Sequence, residues 1–158
     1  MFLLRCLVVF SIFGLTSSAA AKDLRGHLGV GFNTTLPHAA GLAVAYGLPT
    51  GDAAIEVGIE AIAALSIADG TRDVAFAGGR MTYALATEDN MNFYGAAGAG
   101  FVTEGDNQNI RLQPALGAQF FLFGLENLGF LAEWGLSIDL GESSSVSGGT
   151  GVGLYYYF

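Results

Sequence analysis

The sequence is poor in cysteine, histidine and basic residues, which catalytic, metal-binding and nucleic-acid-binding proteins commonly use. It contains one cysteine and two histidines, and it carries 6 Lys and Arg against 14 Asp and Glu. The cysteine, Cys6, lies in an N-terminal segment that we interpret below as a removable leader. The remaining chain then has no disulfide, zinc-thiolate site or cysteine nucleophile. The excess of acid argues against nucleic acid as a partner.

The sequence also lacks, after its first 21 residues, any apolar run long enough for a membrane-spanning helix, which needs roughly 20 residues. Its composition is nevertheless apolar, with 52% hydrophobic residues, 13% charged residues and a mean hydropathy of +0.50. Pro37 and Pro49 bracket residues 39–48, for example. This stretch is too short for a helix that spans a membrane, but it is long enough for a tilted strand of roughly 9 to 11 residues.

Residues 1–21 have the features of a cleavable signal peptide. Arg5 supplies the positive start, residues 7–15 form the apolar stretch, and three alanines at 19–21 precede Lys22. An N-terminal membrane anchor is the alternative, but the apolar stretch is short and a small-residue cleavage site follows it. We therefore expect one mature domain, residues 22–158, and without Arg5 its net charge is −9.

The mature chain divides into eight segments with alternating hydrophobicity, separated by clusters of Gly, Asn, Asp, Ser and Pro. The predicted strands are 24–34, 39–48, 53–65, 73–86, 91–103, 109–122, 128–140 and 146–158. An even number of regularly spaced strands favours an all-β fold, an antiparallel up-and-down transmembrane β-barrel in which the last strand closes on the first. Closure removes the unpaired edges that lipid does not tolerate.

Alternation is clearest in the seventh segment. One face carries Leu128, Phe130, Ala132, Trp134, Leu136, Ile138 and Leu140, and the other carries Gly129, Leu131, Glu133, Gly135, Ser137 and Asp139. A soluble sandwich or lipocalin-like barrel has the same periodicity with the apolar face inside, so periodicity alone leaves that alternative open. Because Gly and Ala dominate the polar stripes, composition favours a narrow barrel interior. Aromatic residues near strand ends resemble the interfacial girdles of membrane barrels: Phe32, Tyr46, Phe93, Phe101, Phe120, Phe123, Phe130, Tyr156 and Phe158.

The chain ends on an aromatic residue, with Leu154, Tyr156 and Phe158 on one face of the last segment. This end resembles the final strand of bacterial outer-membrane barrels, whose assembly machinery reads a terminal aromatic residue. Together with leader, size and strand count, the chain is similar over nearly its whole length to small barrels of the OmpA, OmpX and OmpW type. The resemblance implies an outer-membrane location, contact with outer-membrane lipids and lipopolysaccharide, and insertion by the barrel assembly machinery.

No catalytic, cofactor-binding or metal-binding residue is predicted. Some barrels of this size modify lipid A with a histidine, a serine and an acid, and this is the main enzymatic alternative. Only His27 and His38 could serve. His27 is predicted on the lumenal face of the first strand beside Arg25, and His38 lies in the first loop without an evident serine or acid nearby. The pattern of a histidine and a serine two residues apart late in the chain, which such deacylases have, is absent. A second alternative is a narrow conduit for small or apolar molecules, because eight strands leave room for side chains or one small ligand.

Hairpin register predicts charge pairs in the lumen. A turn around Gly70 places Glu60 opposite Arg80, and a turn near Leu125 places Arg111 opposite Asp139, with Glu133 further down the same stripe. The predicted lumenal charge network comprises Arg25, His27, Glu56, Glu60, Arg80, Arg111, Glu133 and Asp139. These charges nearly balance, which is expected of a plugged lumen.

Both termini are expected to face the periplasm, so the connections near 33–38, 66–72, 104–108 and 141–145 are expected to face outward. All four are short, and large adhesive loops are absent. The sequence therefore predicts a barrel with a structural or surface-interaction role and a largely plugged lumen, and it names no protein partner.

Overall fold

We describe a computed structural model of the chain, covering residues 23–37, 39–51, 56–67, 73–88, 90–122, 124–142 and 144–158. The predicted signal peptide, residues 1–21, lies outside the described residues, and so do His38 and Phe123.

Eight antiparallel strands close into a barrel in which each strand pairs with its neighbours in the sequence and β8 pairs with β1. The strands are β1 (Leu28–Asn33), β2 (Gly41–Gly47), β3 (Val57–Ser66), β4 (Val74–Glu88), β5 (Met91–Glu104), β6 (Asn107–Leu122), β7 (Leu125–Gly141) and β8 (Ser145–Tyr157). The predicted all-β, up-and-down, eight-stranded barrel is confirmed. Among the described residues, no helix is long and apolar enough to cross a membrane.

Several strand bounds differ from prediction, β1 and β6 among them. β1 begins at Leu28 and not at 24, because Gly26 has a positive φ of 77° and turns the chain just before the strand. β6 begins earlier than predicted, since Asn107 and Gln108 pair with Glu104 and Thr103 across a tight turn at Gly105. Polar residues that resemble a loop in the sequence thus extend this hairpin.

Apolar side chains point outward from all eight strands. Trp134 is 54% exposed, whereas its neighbours Glu133 and Gly135 face the interior. The described members of the predicted aromatic set are all at least partly exposed, including Phe101, Tyr156 and Phe158. Polar and charged residues alternate with them on the inside, as the sequence pattern predicts.

Phe158 donates its backbone N–H to the carbonyl of Leu28, so the start of β1 and the end of β8 lie at one end of the barrel, which we call the proximal end. The tight turn at Gly105 lies at the opposite, distal end. The β1–β2 connection lies at the distal end, opposite the termini, as the predicted topology requires, but it folds into the lumen there. Thr35, Leu36 and Pro37 are each at most 3% exposed. We call residues 34–37 the inserted segment.

Strand lengths explain this insertion. β1 ends at Asn33, paired with Gly153, whereas β8 continues to Ser145. Just beyond, the backbone and hydroxyl of Thr34 bond Val152, and the chain then leaves the barrel wall. The short β1 therefore provides the residues that fill the distal lumen.

Candidate functional site

The proximal half of the lumen is crossed by a buried ion triad. Arg80 on β4 donates from Nε to Glu60 on β3 at 2.6 Å, and its Nη1 lies 2.8 Å from the carboxylate of Glu133 on β7. All three side chains are at most 4% exposed. The register places Glu60 directly opposite Arg80, as the turn around Gly70 predicts. The contact between Arg80 and Glu133 crosses the lumen between two strands that are not neighbours, so hairpin register does not predict it.

Two tyrosine hydroxyls complete the triad. Tyr94 donates to Glu133, and Tyr155 donates to Glu60. Space for this layer comes from Gly117, where a Cβ atom would lie 2.7 Å from both the Tyr94 ring and the Glu133 side chain. Small lumenal residues thus permit large polar side chains to fold across a narrow interior.

A second ion cluster lies toward the distal end. Arg111 on β6 makes two hydrogen bonds to Asp139 on β7, at 2.7 and 2.9 Å, and a third to Glu104 at 3.2 Å. Asp139 pairs with Arg111 in the register that a turn near Leu125 predicts. Paired nitrogens facing paired carboxylate oxygens form the strongest and most directional ion pair available to arginine.

The inserted segment is bonded to this distal cluster. Arg111 Nη1 reaches the carbonyl of Leu36 at 3.4 Å, and Gln113 Nε2 donates at 2.9 Å to both the carbonyl of Thr35 and the hydroxyl of Ser137. On β8, Gly151 lies so close to Thr35 that any Cβ atom there would overlap its side chain and backbone. The segment is thus held by polar bonds on one side.

Apolar packing holds the other side of the inserted segment. Leu36 is 0% exposed and belongs to the same buried cluster as Ile62, Phe76 and Val102, which point inward from β3, β4 and β5. The distal lumen is therefore apolar toward β3–β5 and polar toward β6–β7.

The proximal mouth contains a further set of polar groups. Glu56, just before β3, accepts a hydrogen bond from the backbone N–H of Leu24 at 3.1 Å and a long one from Asn92 Nδ2 at 3.4 Å. Gln119 donates to the hydroxyl of Tyr157 at 2.8 Å. These groups line a cavity of about 60 Å³. Burial raises the pKa of Glu56 above its usual range.

Arg25 and His27 do not join the lumenal network, contrary to prediction. Arg25 lies before β1 and makes an ion pair with Asp23 at 2.6 Å, where the guanidinium lowers the pKa of that carboxyl to about 2. His27 is bonded through Nδ1 to the backbone carbonyl of Phe158 at 2.7 Å, at the rim. The turn at Gly26 ends the regular alternation on which the prediction depends.

The three residues of the predicted assembly signal share the outer face of β8. Tyr156 and Phe158 are 47% and 68% exposed, and Leu154 is partly exposed between them. The intervening Tyr155 and Tyr157 point inward and are buried. These three residues point outward together, as the alternation predicts. Their recognition by the assembly machinery stays a prediction.

The sequence analysis did not identify three contributors to the lumen: Glu104, Tyr94 and Tyr155. Alternation in the fifth and eighth segments gives the inward direction of Tyr94 and Tyr155, so that signal was present. Glu104 ends β5 and reaches Arg111 across the hairpin. The contribution of Glu104 to the distal cluster depends on the exact position of the β5–β6 turn.

The fold defines a class of protein: a closed, eight-stranded, antiparallel β-barrel with an apolar exterior and an interior that contains the buried polar and charged side chains. No protein-family model matches the sequence, and no curated protein matches it significantly. The structure is similar to that of the outer membrane protein Ail of Yersinia pestis, determined in phospholipid bilayer nanodiscs. The TM-score is 0.56 at 15% sequence identity, and the match covers 86% of this chain and 100% of the Ail chain. At this identity the likeness extends to the fold alone.

Proposed function

We propose that this chain is an integral barrel of a bacterial outer membrane with a structural or surface-interaction role and a lumen closed to ions. The observation that carries the proposal is the filled lumen: the inserted segment, the Arg111 cluster and the Glu60–Arg80–Glu133 triad block it at successive levels. A water-filled channel requires a continuous polar path. The buried pairs instead satisfy one another, which is expected of a plugged lumen.

The membrane location is supported by the exterior. Leu42, Leu65 and Phe101 are each at least 68% exposed, and every strand contributes further exposed apolar side chains. Such a surface is far more apolar than a soluble monomer tolerates. In a bilayer the same side chains face lipid, while the barrel satisfies its backbone groups internally.

The proposal does not assign an enzymatic activity. His27 is bonded to a backbone carbonyl at the rim, not to a serine. The second histidine of the lipid A-modifying alternative, His38, lies outside the described residues. A surface role would use the distal turns, which are short, so we expect contact with lipopolysaccharide and neighbouring membrane proteins rather than a deep binding groove.

Two measurements test the proposal. Unboiled samples of bacterial outer membranes should show faster gel migration of this chain than boiled samples, because a closed barrel resists detergent at room temperature. In planar bilayers the purified protein should show almost no conductance. Equal migration would contradict a closed barrel in that membrane, and sustained large conductance would support the conduit alternative over the plug.

A further inference from the structure

Charge is not balanced in the proximal half of the lumen. The carboxylates Glu56, Glu60 and Glu133 line it, and within the described residues Arg80 is the one guanidinium that enters it. The sequence-based balance counted Arg25 here. The Arg25 side chain lies at the rim and is bound to Asp23, so Glu56 experiences the charge of Arg25 together with the opposite charge of Asp23. Buried charge without a counter-charge is costly, so this region favours an additional positive charge.

The imbalance centres on Glu56. Glu60 and Glu133 share Arg80 and each accepts a tyrosine hydroxyl, whereas the two hydrogen bonds that reach Glu56 come from neutral donors at 3.1 and 3.4 Å. Its carboxylate is half-buried and lines the proximal cavity. The Glu56 carboxylate can therefore accept a further hydrogen bond, from a positively charged donor.

A second, independent observation is the orphaned carbonyl of Asn92. This residue is 4% exposed and lines the same cavity, and its Oδ1 atom receives no hydrogen bond from any described group. A buried acceptor without a donor costs roughly 1 to 3 kcal/mol, so native proteins seldom leave one unpaired. A ligand that supplies an N–H to Oδ1 would remove this cost.

The cavity between these groups is small. Its volume of about 60 Å³ accommodates a few water molecules or one compact organic cation. Among the described residues, no group of three or more His, Cys, Asp or Glu side chains is arranged to hold a metal, which disfavours a divalent ion. An ammonium group combines one positive charge with several N–H donors, and these match one carboxylate and one amide carbonyl.

We propose that the proximal cavity binds a small primary ammonium ion, with the charged nitrogen between the Glu56 carboxylate and Asn92 Oδ1. The nitrogen donates one N–H to each acceptor, and the short alkyl portion packs against Leu24 and Leu131, which also line the cavity. The site is reached from the proximal mouth and does not require passage through the barrel.

The test uses methylammonium chloride titrated into the folded barrel in phospholipid nanodiscs, with the side-chain amide signals of Asn92 and Gln119 followed by NMR. Saturable shifts of both signals are expected, because both residues line the cavity. Glu56→Gln keeps the size of the side chain and one of its two acceptor oxygens but removes the charge, and it should weaken methylammonium binding by about tenfold or more. Asn92→Ala should also weaken it, as measured on Gln119.

Glu104→Gln is the matched control, because it removes the same charge at the distal cluster. It should leave methylammonium affinity unchanged. Tetramethylammonium has the charge without N–H donors and should not produce the saturable shift, and sodium chloride at equal ionic strength should not either. Absence of saturable binding, equal affinity in Glu56→Gln, or equal effects of the tetramethylammonium or sodium salts would each overturn the proposal.

Discussion

Arg80 and Glu133 lie on opposite walls of the barrel, on β4 and β7, and their side chains meet at 2.8 Å in the centre of the lumen. Arg80 also holds Glu60, so one guanidinium joins three strands that are not all neighbours. This contact braces the barrel across its diameter, beyond the hydrogen bonds that run around its circumference.

Removing Arg80 should therefore destabilise the barrel strongly. Arg80→Ala leaves Glu60 and Glu133 buried without a counter-charge, and breaking a buried pair in this way costs about 3 to 5 kcal/mol. The free energy of unfolding should fall by an amount of this order, measured by urea titration of the barrel in detergent micelles with Trp134 fluorescence as the signal.

Arg25→Ala is the control for this measurement, since it removes the same side chain from the partly exposed pair with Asp23. Exposed pairs contribute about 1 kcal/mol at most, so a small change is expected. Similar losses in the two variants would show that the triad is not a special source of stability.

The sequence predicts the pairs within hairpins but not the contacts across the lumen. Glu60 with Arg80 and Arg111 with Asp139 follow from turn position, because register in an antiparallel hairpin is a fixed sum of residue numbers. Which of several inward charges meet across a barrel depends on strand stagger and side-chain length, and no local pattern records these. Glu133 was predicted to lie on the same lumenal stripe as Asp139, but its contact with Arg80 across the lumen was not predicted.

The inserted segment was missed for a related reason. Asn33, Thr35 and Pro37 have the composition of an exposed turn, and such residues are normally on the surface. Their burial follows from the difference in length between β1, which ends at Asn33, and β8, which extends to Ser145, and alternation within either segment does not indicate this difference. Only Leu36, an apolar residue within a polar connection, points toward an inward position.

Deletion of Phe158 should lower the amount of barrel assembled in the outer membrane while synthesis stays unchanged. The side chain is 68% exposed on the outer face at the end of β8, and its backbone N–H bonds Leu28, so both a recognition signal and one closing bond are lost. Heat-modified and unmodified forms are quantified on gels. Phe158→Tyr keeps an aromatic end and should assemble normally; assembly of the deletion at wild-type levels would exclude the recognition argument.

Trp134 should be quenched by lipids brominated on their acyl chains, because it faces outward in the middle of β7 and is 54% exposed. It is the single tryptophan of the chain, so its emission is unambiguous. A variant with Trp134→Phe and Phe121→Trp moves the fluorophore to a lumenal position that is 4% exposed and should resist quenching. Stronger quenching of the tryptophan at position 121 than of Trp134 would mean that the lipid-facing and lumenal faces of the strands are the reverse of those described.

Glu56 should make stability depend on pH. Burial raises its pKa in the folded state, so the folded barrel binds this proton more tightly than the unfolded chain does. The contribution of Glu56 to the free energy of unfolding is therefore fully present at low pH. It is lost as the pH rises from the pKa of this group in the unfolded chain through its pKa in the folded barrel. In buffer free of ammonium salts, Glu56→Gln should raise the melting temperature at pH 8 and leave it unchanged at pH 3. A lower melting temperature for this variant at pH 8 would contradict the raised pKa.

Conductance should appear when the inserted segment is expelled. Gly151 has no room for a side chain, since a Cβ atom would overlap Thr35, whereas Gly149 on the same strand has nothing within 4 Å of that position. Gly151→Val should therefore force residues 34–37 out of the lumen, breaking the bonds from Gln113 and Arg111 and withdrawing Leu36 from its apolar pocket. Gly149→Val adds the same side chain without that collision and should stay as silent as the wild type in planar bilayers. Because the Glu60–Arg80–Glu133 triad still crosses the proximal lumen in Gly151→Val, small conductance steps are expected, and Gly151→Val combined with Arg80→Ala should give larger ones. If the double variant is silent, the inserted segment and the triad are not the elements that close the barrel.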